Sequence, residues 1–240
     1  MRFTHVAAGV LALGLLGGSA HAANIVTNGS FEDLTNGAGQ LGYNTNAPGW
    51  TSAGYNFVFT PGSADTTGAP GRSGSLMLWG PNNGSANGLP ASSPDGGNFV
   101  ADDGDYHTGG LSQTLNGLTV GKKYDVSFWY GFAQQFTFTG DTMQYWSVSF
   151  GKDKQSTATY DLPSKGFSGW MQTTMSFTAA STSEVLSFLA HGNLPVPPFA
   201  LLDGVDVEQQ TSVPEPASLG LLLAGIGGLS AVVRRRRNRR

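Results

Sequence analysis

The chain has no cysteine among its 240 residues. That absence excludes disulfides and every metal site built on thiolates. Charge is also sparse, with Asp, Glu, Lys and Arg making up 12% of the residues. Cations are scarcest in the body of the chain. Between Asn24 and Val213 there are 6 basic and 15 acidic residues, a net charge of −9. A surface this acidic speaks against nucleic acid as a partner, because phosphate contacts need Lys and Arg. Histidine is nearly missing from the same body, where only His107 and His191 occur. Neither G-x-S-x-G nor H-E-x-x-H is present, so no nucleophile elbow or zincin helix is marked. The body also lacks an apolar period of 3.6, so no amphipathic helix is expected there.

What the body does have is glycine and alternation. The 35 glycines are spread among Ser, Thr and Asn, a pattern of many turns between short strands. In KKYDVSFWYGF, Tyr124, Val126, Phe128 and Tyr130 share one face, and Asp125, Ser127 and Trp129 the other. Met171, Thr173, Met175 and Phe177 repeat the pattern, as do Trp146, Val148 and Phe150. Each reads as a half-buried strand. Further strands are expected at 24–27, 55–60, 75–79, 98–102, 111–115, 184–190 and 199–207. Asn28-Gly29, Asn36-Gly37, Asp95-Gly96-Gly97 and Asn116-Gly117 are turn signals. About ten short strands imply an all-β fold, an antiparallel β-sandwich or jelly roll, over residues 24–210. Residues 61–97 read as a long loop excursion over one sandwich edge, with one strand inside.

The two ends have another character. Arg2, an apolar run over residues 6–18, and Ala20-His21-Ala22 make a signal peptide, 1–23. At the other end, residues 217–233 carry no charge. As a helix they would span about 26 Å, short for a bilayer core of ~30 Å but adequate with slight thinning. Arg234, Arg235, Arg236, Arg237, Arg239 and Arg240 follow as a cytoplasmic stop. Both ends therefore put the body on the outer side of the membrane.

Val213, Pro214, Glu215 and Pro216, then the spanning segment, then the arginines, resemble a PEP-CTERM sorting tail over 211–240. The same tail also goes by the name ice-binding protein C-terminal domain, which carries no evidence of ice binding here. The resemblance implies a Gram-negative bacterium that makes exopolysaccharide. It also implies a membrane protease-transpeptidase, exosortase, as processing partner. The chain would be anchored transiently in the inner membrane, its body in the periplasm. It would then move to the cell surface or extracellular matrix.

In the body, NIVTNGSFED, PDGGNFVADDGD, LSQTLNGLTVGKKYDVSFWYGFAQQ and FALLDGVDVE resemble PEP-CTERM proteins with a galactose-binding-like jelly roll. The same strand signatures are similar to those of carbohydrate-binding modules. That resemblance implies a structural calcium where the first and last strands meet, at Glu32 and Asp203. A second, weaker calcium candidate is the cluster Asp102, Asp103 and Asp105, read from its packed oxygen ligands. No other cofactor is expected.

A sugar ligand would need aromatic platforms for its C–H faces. Trp146 is in phase with the core, and Trp50 and Trp170 at strand starts are also expected there. Trp129 and Tyr145 are out of phase, Trp79 stands before a loop, and Tyr106 and His107 follow the acidic cluster. Those five are the expected ligand face. The best functional reading is a non-enzymatic, exported surface or matrix protein that binds extracellular polysaccharide. The alternatives are a purely structural matrix component and a secreted carbohydrate-active enzyme with paired carboxylates.

Overall fold

The computed structural model describes residues 23–106, 109–193 and 197–210. The helices expected in the signal peptide and at 217–233 lie outside these residues. No helix forms among the described residues, and none there is long and apolar enough to cross a membrane.

The strands, in chain order, are β1 (Gly39–Gln40), β2 (Thr51–Ser52), β3 (Asn56–Phe59), β4 (Ala69–Gly71), β5 (Gly74–Leu76), β6 (Phe99–Asp103) and β7 (Leu111–Asn116). They continue as β8 (Lys123–Gln134), β9 (Thr142–Phe150), β10 (Asp153–Ser156), β11 (Tyr160–Leu162), β12 (Met171–Thr178), β13 (Ser183–His191) and β14 (Pro198–Gln209). One sheet has the order β1-β3-β6-β14-β8-β12. The other runs β10-β9-β13-β7-β2, with β11 also on β9. All the pairings between these strands are antiparallel. The body is the expected all-β sandwich.

The inter-sheet core follows from alternation. Tyr124, Val126, Phe128, Tyr130 and Phe132 of β8 face Trp146, Val148 and Phe150 of β9 and Leu186 and Phe188 of β13. Trp146 is fully buried, and its Nε1 donates to the Leu201 carbonyl at 3.1 Å. Phe128 and Phe188 meet edge-on, their centroids 5.1 Å apart. The expected core places of Trp50 and Trp170 hold in part. Both are half-buried and pack against the two clusters of buried side chains.

Four strands depart, in whole or in part, from the half-buried pattern. β3, β6, the first half of β14 and the last five residues of β8 are buried on both faces. The cause is the excursion, which lies over the outer face of the first sheet instead of over an edge. Ala64, Ala69, Leu76, Leu78 and Leu89 cover Phe57, Phe59, Phe99, Ala101, Phe199 and Leu201 there. The excursion holds two strands, β4 and β5, paired as a hairpin.

The segment 24–27 is not a strand. It runs beside β14, where Ile25 N–H donates to the Val207 carbonyl at 3.1 Å. The Asn24 side-chain oxygen takes the Val207 N–H at 3.1 Å and the Val26 N–H at 2.8 Å, so a side chain substitutes for a ladder. Gly29 then passes so close to β14 that a Cβ would lie 2.0 Å from the Val205 carbonyl oxygen. The close pass coincides with a bulge between Asp203 and Asp206, where Gly204 has φ of +55°.

Candidate functional site

β14 runs from one pole of the sandwich to the other. At its first residue it pairs with Gln134, the last residue of β8, and one step on Phe199 pairs with Asp103, the last of β6. Loops from both sheets gather at this pole around a cleft of about 680 Å³. Its aromatic walls are Tyr43, Tyr55, Tyr106 and Phe138, with Arg72, Ser73, Asp103 and Gln135 among its polar groups. Tyr43 is 52% exposed, Tyr106 67% and Phe138 42%, so three rings offer open faces to a ligand.

Each wall is held from below. Asp103 is buried, and its Oδ1 accepts the backbone N–H groups of Asp105 at 2.9 Å and Tyr106 at 3.0 Å. That turn fixes where Tyr106 projects. Tyr55 packs edge-on to Phe57 at 4.6 Å and to Tyr106 at 6.4 Å. Burial raises the Tyr55 pKa; the Ser73 hydrogen bond opposes this, and Asp103 and Tyr106 add to it. Phe138 stands in a loop anchored by Trp79, whose Nε1 donates to the Phe138 carbonyl at 2.7 Å.

The expected ligand face does not form one surface. Tyr106 is at the mouth of the cleft, and His107 lies outside the described residues. Trp79 is only 8% exposed, edge-on to Phe136 at 4.7 Å and under Lys165 Nζ at 4.5 Å from the ring centre. Trp129 is half-buried on the outer face of the first sheet, opposite Asp203 in the ladder. Tyr145 is on the second sheet, stacked on His191 at 4.4 Å and 6°. Sequence reasoning missed Tyr43, Tyr55, Arg72 and Phe138. One signal was available: Arg72 is the only Lys or Arg between Asn24 and Gly121.

The two carboxylate sites differ. Asp203 is fully buried; its Oδ2 accepts from the Ser93 hydroxyl, and its Oδ1 has no hydrogen-bond partner. Burial pushes its pKa up to about 8, with Asp95 and Glu32 adding to the rise and Ser93 and Gly204 opposing it. Glu32 Oε1 accepts the Asn98 N–H at 2.7 Å. Glycines make the gathering feasible. A Cβ at Gly97 would meet Glu32 Oε1 at 1.8 Å, and one at Gly204 would meet Asp95 Cγ at 2.9 Å. An orphaned buried carboxylate oxygen beside two more carboxylates suits a hard cation. Among the described residues, however, no three His, Asp or Glu groups converge on a single point. Glu32 and Asp95 would have to turn inward to reach an ion.

Asp102, Asp103 and Asp105 do not converge either. Consecutive strand residues point to opposite faces, so Asp102 enters the inter-sheet space while Asp103 forms the cleft floor. Asp102 is fully buried with neither oxygen in a hydrogen bond of good geometry. Burial holds its pKa well above the ordinary value; Asp103 adds to this, and the nearby Ala190 backbone N–H opposes it.

A model of the PEP-CTERM protein-sorting motif matches residues 212–237. The chain carries that motif. No curated protein matches the chain. Solved structures similar to it include TmCBM61 in complex with beta-1,4-galactotriose, at 18% identity and a TM-score of 0.40, covering 79% of this chain and 100% of that one. The CBM22-1 xylan-binding domain of Xyn10C from Paenibacillus barcinonensis is similar at 12% identity and 0.40, covering 81% and 100%. An arabinose-bound α-L-arabinofuranosidase, MgGH51, is similar at 12% identity and 0.43, covering 83% of this chain and 28% of its own.

Proposed function

We propose that this exported protein is a non-enzymatic glycan-binding domain whose site is the cleft between Tyr43, Tyr106 and Phe138. Exosortase would process its tail, and the domain would act at the cell surface or in the extracellular matrix. The observation that carries the reading is the cleft itself. It sets three exposed rings around a few polar groups, the composition of a small-ligand site. Sugar rings present C–H faces to such platforms, and their hydroxyls take hydrogen bonds from Ser73, Gln135 and Arg72.

The acid count supports binding over hydrolysis. A glycosidase needs two carboxyl groups, roughly 5–9.5 Å apart. Among the described residues lining the cleft, Asp103 is the only acid, and it is committed to the turn beneath Tyr106.

A glycan array read with the full chain in detergent tests this reading. Retention of at least one glycan class is expected. Tyr43→Ala and Tyr106→Ala should each weaken it about three- to tenfold, the worth of one stacking contact. Because both rings are exposed, the melting temperature should move little. An array on which nothing is retained would sink the reading in favour of a structural matrix component.

We also propose that Asp203, with Glu32 and Asp95, takes a structural calcium ion. The ion would supply the positive charge that Asp203's buried carboxylate lacks. Its role would be to fasten the N-terminal segment and the 93–98 loop to β14, away from the cleft residues.

A further inference from the structure

The cleft is built around one cation. Arg72 is the only Lys or Arg between Asn24 and Gly121, in a body of net charge −9. The fold spends a hairpin on placing it. Gly71 pairs with Gly74, so Arg72 and Ser73 form the two-residue turn between β4 and β5. The turn is seated closely, since a Cβ at Gly71 would meet Phe57 Cε1 at 2.6 Å. The Arg72 backbone N–H donates to Gln40 Oε1 at 2.9 Å. Asn44 ties the same hairpin down through the Pro70 carbonyl at 3.0 Å. The guanidinium lies over the exposed Tyr43 ring, 5.0 Å from its centre.

A neutral sugar can accept hydrogen bonds from such a group but makes no use of its charge. Hydroxyls are read adequately by Ser, Gln and Tyr, without the cost of holding a charge in place. A guanidinium offers parallel N–H donors that match a carboxylate in two hydrogen bonds. Its partly apolar plane is already stacked on Tyr43, so little of its freedom remains to be lost on binding. The acidic remainder of the body acts from farther away. At physiological salt its repulsion is screened beyond about 8 Å, and the local guanidinium decides.

We infer that the cleft selects a glycan carrying carboxylate groups, a hexuronate-containing polysaccharide, with Arg72 receiving the carboxylate and Tyr43 and Tyr106 the ring faces. This rests on the cleft being the glycan site. Asp103 on the cleft floor works against an anion, although its Oδ1 is already met by the N–H groups of Asp105 and Tyr106.

The test compares oligomers of galacturonate, mannuronate and glucuronate with the same oligomers methyl-esterified at every carboxyl, titrated into the full chain in detergent. Esterification removes the charge and keeps the sugar. At least one free acid should bind about tenfold tighter than its ester. Arg72→Gln should remove that preference, weakening the free acid far more than the ester. Arg72→Lys should restore only part of it, because an ammonium cannot fork. The inference falls if acid and ester bind alike, if only neutral glycans bind, or if Arg72→Gln weakens both forms equally. In those cases the glycan reading stands. If no acid, ester or neutral glycan binds, that reading falls and takes the inference with it.

Discussion

Calcium in excess is expected to raise the melting temperature of this protein by about 5–10 °C, and a chelator to reverse the gain. Asp203 sits in β14 among apolar residues with one carboxylate oxygen unpaired. Without a cation, burial makes its charged form so costly that its pKa rises to about 8. Glu32 and Asp95 worsen that cost, and a divalent ion on Asp203 toward which they turned would relieve it. A ligand present at a hundredfold excess over its Kd contributes about 2.7 kcal/mol to the folded state. For a domain of this size that is the quoted shift in melting temperature. Asp203→Asn should abolish the response, and Glu32→Gln should reduce it. A wild-type melting curve unchanged between excess calcium and chelator would dismiss the site.

Asp102 sets up a second large effect, on the dependence of stability on pH. Burial holds its carboxyl well above the ordinary pKa, so folding favours its protonated form. In the unfolded chain it ionises near its usual value. Its contribution to stability is therefore complete below pH 4 and is lost progressively as pH rises toward the folded value. Asp203 titrates in the same direction, so wild type alone does not separate them. The difference between wild type and Asp102→Asn does. Asn56 lies directly across the ladder from Asp102, and its side-chain oxygen is also buried without a partner. An amide at position 102 brings an N–H for that oxygen and has no charge to bury. At pH 8 the variant should be more stable by about 1–3 kcal/mol, because the carboxyl must take up a proton on folding and the amide need not. The gap should close as the pH is lowered to 4. A gap independent of pH would refute this account.

How far the sequence could be read depended on which surfaces are wet. β8 and β12 announced themselves because one face meets the core and the other meets water or polar neighbours. β3 and β6 carry no such alternation, since the excursion dries their outer face. Their existence was legible, but their environment was not. β1, β2 and β11 hold two or three residues each, too few for any period. The cleft was nearly invisible for a different reason. Gln40, Arg72, Asp103 and Gln135 come from four separate stretches, and only the folded hairpin brings Arg72 to the others. Tyr106 was found because it follows an acidic turn. Asp95 was overlooked beside Glu32 and Asp203 because it sits in what reads as a plain Asp-Gly-Gly turn.

β14 has a mechanical consequence. Its first residues border the cleft, and its last, Gln209, is followed by Gln210, whose N–H still bonds to the Lys123 carbonyl at 2.9 Å. The described residues end there, at the far end of the strand from the cleft. A pull applied between the two ends of β14 would run along the strand axis. It would load the ladder to β8 in shear, straining many hydrogen bonds side by side instead of peeling them open one at a time. The strand that borders the cleft at one end would also be the one that resists being pulled out.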